Sequence, residues 1–159
     1  MQIRSFYIKD ILNIAFPIML GNLGFILIGV GDVIVAGRHS TDTLAAVSLA
    51  TAVINCIVMV GIGILSSISA ILSNYRGAGK QAEKYFYPAL KFTAILSVII
   101  SLAIITFIPV INHLGFEARL VPMIKDYFWV TAFSVFGAYL HCMTKEYLQS
   151  FEIVVFPNI

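Results

Sequence analysis

Hydrophobic and polar positions along this chain gather into long blocks instead of short alternations. Four stretches, Ile11 to Ala36, Leu44 to Leu72, Phe92 to Ile111 and Ile124 to Met143, are predominantly apolar. Each is long enough to cross a hydrocarbon core, which takes about 20 helical residues. The intervening segments, Gly37 to Thr43, Ser73 to Lys91 and Asn112 to Lys125, carry the charge, and two of them are punctuated by glycine or proline. The pattern predicts an all-α integral membrane protein with four transmembrane helices and no loop long enough to form a separate domain. The first stretch is too long for the apolar region of a signal peptide and lacks a small-residue cleavage site, so it is expected to be a retained span.

Composition agrees with the pattern. The 159 residues are 60% hydrophobic and 11% charged, more apolar side chain than one soluble core of this size can enclose. A net charge of +2 argues against a nucleic-acid partner, and the distribution of the basic residues is more informative than their sum. With a cytoplasmic N-terminus, Arg4, Lys9, Arg76, Lys80, Lys84, Lys91 and Lys145 fall inside, and Arg38, Arg119 and Lys125 outside. That asymmetry predicts a multi-pass protein of the cell membrane, with Tyr127 and Trp129 as anchors at the outer interface.

Chemistry outside the apolar blocks is sparse. Cys56 and Cys142 lie within apolar stretches and read as small buried hydrophobes, not as a disulfide or metal framework. No Ser-His-Asp set, paired carboxylates or G-x-S-x-G elbow supports an enzyme, and no cofactor is implied. The Gly-Ala-Gly at residues 77–79 lacks the preceding strand and the glycine and Lys-Ser/Thr spacing of a phosphate loop. It reads as a turn into a basic interfacial helix whose Lys80, Lys84 and Lys91 face anionic headgroups.

The polar groups inside the spans are the candidate functional residues. Asp32 lies near the outer end of the first span, where a carboxylate is still unfavourable enough to need a reason. At 100° per residue it shares about one third of the helix circumference with Pro17, Gly21 and Gly29, a stripe expected to face protein or a cavity. Asp32 is therefore a candidate proton or cation switch, although an acid here can also reach the interface or pair with Arg38. Pro17 removes a backbone hydrogen bond to Asn13 and predicts a bend, either a hinge or a fixed kink. Asn22, Asn55 and Tyr139 can line an aqueous cavity or hydrogen-bond a neighbouring helix, as can His141.

Four segments, "AFPIMLGNLG" (Ala15 to Gly24), "GDVIVAGRHSTDTLAAVSLA" (Gly31 to Ala50), "YRGAGKQAEK" (Tyr75 to Lys84) and "YLQSFEIVVFPN" (Tyr147 to Asn158), occur in this order. Together they resemble the N-terminal part of a multidrug and toxic compound extrusion (MATE) transporter. The resemblance implies a twelve-helix secondary antiporter of two six-helix lobes, exporting small organic, chiefly cationic, substrates across the lipid bilayer in exchange for protons or sodium. It places Asp32 at the first-helix acid implicated in ion coupling, and Pro17 at a first-helix proline associated with bending. It also reads the 159 residues as a fragment, four spans of the first lobe without the remainder of the transporter. Two alternatives stay open: a lipid-linked oligosaccharide flippase of related architecture, and a self-associating four-helix membrane protein.

Overall fold

A computed structural model of the chain describes residues 2–155, with side chains from residue 11 onward other than that of Phe25. The side chains of Arg4 and Lys9, and the Phe156 to Asn158 end of the last quoted segment, lie outside the described residues. Four long helices follow one another: α1 (Gln2–His39), α2 (Thr41–Gly77), α3 (Phe86–Phe107) and α4 (Val121–Ser150). Short 3-10 turns at Ala82–Tyr85 and Ile108–His113 flank α3. Among the described residues, Ile11–His39, Thr41–Gly77 and Ala82–His113 are long and apolar enough to cross a membrane. α4 has the length, at 30 residues, but Lys125, Asp126, Thr131, Ser134 and His141 dilute its apolar character.

The expected seven-residue connection between the first two spans shrinks to a single residue, Ser40. Its backbone is extended and its Oγ accepts from the Thr43 amide at 3.0 Å, a cap that needs no further loop. Asp42 in the first turn of α2, and Arg38 with His39 in the last turn of α1, complement the two helix dipoles. The break forces α1 and α2 into an antiparallel pair, with the Leu44 side chain beside Gly37.

The turn expected at the Gly-Ala-Gly is a helix stop, and it leads into the short 3-10 turn Ala82–Tyr85 and then α3 instead of a separate basic helix. Gly79 adopts φ +69°, its amide donates to Arg76 O, and Lys80 N donates to Tyr75 O, both at 3.0 Å. This is the Schellman arrangement, and it uses the glycine for its left-handed backbone, not for a phosphate. α3 then begins at Phe86, earlier than its apolar stretch, and takes Lys91 into the helix.

The core is a seam between α2 and α4, closed on one side by α3. Ala46, Ala50, Ile54, Gly61, Leu65, Ile68 and Leu72 of α2 are buried, as are Ile124, Phe128, Ala132, Val135, Tyr139 and Met143 of α4. Both series step by three, four or seven residues, the spacing of one helical face. The cross-links Thr51 to Tyr127, Val58 to Tyr139 and Arg76 to Ser150 rise together in number, so α2 and α4 run parallel. α3 runs the other way, as shown by the hydrogen bond from Ser101 Oγ to Ala132 O at 2.6 Å and the Phe107–Phe128 stack at 6.1 Å. Among the described residues, the α1 backbone packs only on α2.

Within the seam, Tyr139 occupies the notch left by Gly61 and donates its hydroxyl to Val58 O at 2.8 Å. A Cβ at residue 61 would overlap that phenol. Gly61→Ala is therefore expected to destabilise the folded state by about 1–3 kcal/mol, the usual cost of overpacking, despite alanine's better helix propensity. A lower midpoint of thermal unfolding in detergent checks this; an unchanged or raised midpoint would show that the seam is loose at this level.

Candidate functional site

The sequence-predicted residues divide between an open face and a closed seam. Asp32 is exposed on α1, one turn before Ala36, which is buried against the bundle. The ion pairs among the described residues are Arg76–Glu152, Arg119–Asp42 and Arg119–Glu117, so the pairing of Asp32 with Arg38 that the sequence allowed is not formed. A Cβ at Gly29, one turn earlier on the same face, would meet open space. Asp32 thus presents an unpaired carboxylate on the open side of α1.

Asn22 and Asn55 are also exposed, on α1 and α2 respectively. Asn22 Oδ1 accepts from Lys145 Nζ at 3.1 Å, which brings a lysine of α4 onto the polar side of α1. At 1.5 Å rise per residue, Asn22 and Asp32 stand about 15 Å apart along the helix. Tyr139 lies within the α2–α4 seam, with its hydroxyl engaged by Val58 O. The helix runs unbroken through Pro17.

Two arginines that the sequence offered only as charges tie helix ends together. At the end where α2 begins, Arg119 from the α3–α4 connection holds Asp42 Oδ2 at 3.2 Å and Glu117 Oε2 at 2.7 Å. These carboxylates raise the Arg119 pKa above its usual value, chiefly through the Glu117 hydrogen bond. At the end where α2 and α4 finish, Arg76 donates to Ser150 O at 3.0 Å and Glu152 Oε1 at 2.7 Å, with the Phe151 ring 5.9 Å away. One guanidinium thus meets three consecutive residues and satisfies a carbonyl that the last turn of α4 would leave open. A cavity of about 250 Å³ opens beside it, lined by Ser73, Arg76, Gly77, Gln149, Ser150 and Glu152.

Comparison with known proteins places this architecture. The family model MatE matches residues 17–159, which takes in α1 from Pro17 onward and the whole of α2, α3 and α4. The chain belongs to the MatE family. This is the multidrug and toxic compound extrusion family whose motifs the sequence resembles, a family of membrane transporters and not of enzymes. Among its relatives is a probable multidrug resistance protein NorM of Xanthomonas axonopodis pv. citri, 34% identical over 111 residues, 69% of this chain and 24% of the relative. Another of the same name in Streptococcus pneumoniae serotype 4 is 28% identical over 142 residues, 87% of this chain and 31% of the relative. The multidrug resistance protein NorM of Photobacterium profundum is 22% identical over 151 residues, 92% of this chain and 33% of the relative. The chain thus spans between a quarter and a third of the length of these relatives. No solved structure matches it significantly.

Within this MatE chain, the end of α4 carries a local strain that Arg76 compensates. Glu152 sits at φ +64°, the position a glycine usually fills after a helix, with its amide donating to Gln149 O at 2.9 Å and that of Ile153 donating to Leu148 O at 3.1 Å. Arg76→Ala is expected to lower stability by about 1–2 kcal/mol, through the lost charged hydrogen bond and ring contact. Glu152→Gly is expected to be neutral or stabilising, since relief of about 1 kcal/mol of left-handed strain outweighs an exposed ion pair. Thermal unfolding of the two variants side by side checks the contrast, and equal losses would refute it.

Proposed function

We propose that the complete protein exports small organic, predominantly cationic compounds by secondary antiport, with proton or sodium binding at Asp32 as the coupling event. The observation that carries this reading is the unpaired, exposed carboxylate of Asp32 on α1 of a chain matched by the MatE model from residue 17 onward. The names of the relatives, multidrug resistance proteins, support the class of substrate. In this reading all four long helices cross the cell membrane, with the N-terminus cytoplasmic, and form part of a six-helix lobe completed by chain beyond these residues. Pro17 supplies a hinge or kink below Asp32, and Asn22 and Asn55 line the cavity. Tyr139, a cavity candidate on sequence grounds, acts here by holding α2 to α4.

Coupling requires only that the ion bind one conformation better than the other. A tenfold difference in ion affinity between the inward-open and outward-open states is worth about 1.4 kcal/mol, within reach of a modest change in the hydration of one carboxylate. In vesicles holding the complete transporter, Asp32→Asn is expected to insert normally and to reduce efflux of a cationic dye, driven by a proton or sodium gradient, at least tenfold. Undiminished efflux would remove Asp32 from the coupling step. Movement of a lipid-linked sugar, but not of the dye, in the same vesicles would replace the antiporter with the flippase.

A further inference from the structure

α2, α3 and α4 are tied to one another by side chains along their whole length. Asp42 meets Arg119 at one end and Arg76 meets Ser150 and Glu152 at the other. Between them lie the Tyr139–Val58 and Ser101–Ala132 bonds. α1 is held differently. Of its described side chains Ala36 is the buried one, while Phe16, Met19, Leu23, Ile26 and Val33 are among its exposed apolar residues. Among the described residues, one side-chain hydrogen bond crosses from α1 to the other helices: Lys145 Nζ to Asn22 Oδ1, at 3.1 Å.

We infer that Lys145 and Asn22 form a reversible latch that ties α1 to the α2–α3–α4 body in one conformation and opens when α1 moves. Lys145 stands on α4 between Tyr139, which is locked to α2, and Ser150, which is capped by Arg76, so its backbone belongs to the fixed body. Asn22 lies 14 residues before Ala36, about 21 Å along α1 from that packed end, so a swing of the helix about its anchored C-terminal end would carry Asn22 toward or away from α4. A lysine suits the exchange because its flexible stem gives the ammonium a second resting place. Ser150 is about 7.5 Å farther along the helix, and a released Lys145 can extend toward that end of the bundle instead of remaining unpaired beside apolar side chains. Lys145 is thus a positioning residue for α1; it acts on Asp32 only through the helix that carries both Asn22 and Asp32. The functional meaning of the latch rests on the transporter reading, whereas its existence does not.

The test reads conformation without transport. In the complete protein, with Cys56, Cys142 and any cysteine beyond residue 159 replaced by alanine, a single thiol is introduced by Ile18→Cys. Residue 18 lies one turn before Asn22 on the same face and is partly buried. Its rate of modification by a water-soluble maleimide in native membranes is expected to rise about fivefold or more on Asn22→Leu or Lys145→Met. The double variant is expected to rise no further than either single one, and Asn22→Asp, which converts the bond into an ion pair, to slow the modification. Lys145→Gln, which keeps donors at shorter reach, is expected to fall between. If Lys145→Met does not fold, Asn22→Leu at its exposed position and Asn22→Asp still give the two opposite shifts. Equal rates in all variants, or additive effects of the two single changes, would overturn the latch. Because labelling needs no substrate or ion gradient, this result stands apart from the outcome of Asp32→Asn.

Discussion

The phenol of Tyr139 set into the gap at Gly61 is the contact on which the arrangement of the bundle depends. A tyrosine buried in an apolar seam needs a partner for its hydroxyl, and here that partner is the backbone carbonyl of Val58. The bond is available only because Gly61 leaves the side of α2 bare at that level. Size and polarity therefore agree on one register: a slip of α4 along α2 by one turn would bring the ring against Ile57 or Leu65, and leave the hydroxyl unpaired. Once that register is set, Ala46 and Ala50 face α4 at one end, and Arg76 reaches the last carbonyls of α4 at the other.

The consequence for function is a division of labour among the helices. Three of them share buried side chains and cross-links, and behave as one body; α1 leans on that body through its C-terminal end and through one lysine. The single-residue break at Ser40 makes α1 a continuation of the hairpin instead of a freely hanging segment. The ion-binding role proposed for Asp32 suits such an element. Asp32 lies close enough to the Ser40 turn to be positioned by it, and far enough along α1 from Asn22 that a swing at the level of Asn22 need not disrupt the packing of Ala36.

The fold class was legible in the sequence for a simple reason. Apolar runs of this length admit few structures, because a backbone in hydrocarbon must satisfy its own hydrogen bonds. Three of the four expected spans are apolar enough to cross a membrane by themselves, and the fourth, α4, is a helix of sufficient length with more polar positions. Loop lengths were less legible. Charge alone suggests a seven-residue connection around Ser40, whereas Arg38, His39 and Asp42 belong to helix ends that favour those charges. The helix stop at Gly79 depends on a positive φ that composition does not reveal.

The sequence by itself determined that this chain belongs with membrane helices, that Asp32 and Pro17 are exceptional within the first of them, and that the motifs are those of a MATE transporter. Those conclusions follow from local properties: run length, the cost of a lone carboxylate, and residue order. Only the tertiary structure decided which polar groups meet. The separations between Arg76 and Glu152, Asp42 and Arg119, Val58 and Tyr139, and Asn22 and Lys145 range from 76 to 123 residues. No helical period relates positions so far apart, and their meeting depends on which faces of separate helices bury one another. That choice turned Tyr139 from a candidate cavity wall into the fastener of the seam, and Lys145 from one basic residue among many into a link to the helix that carries Asp32.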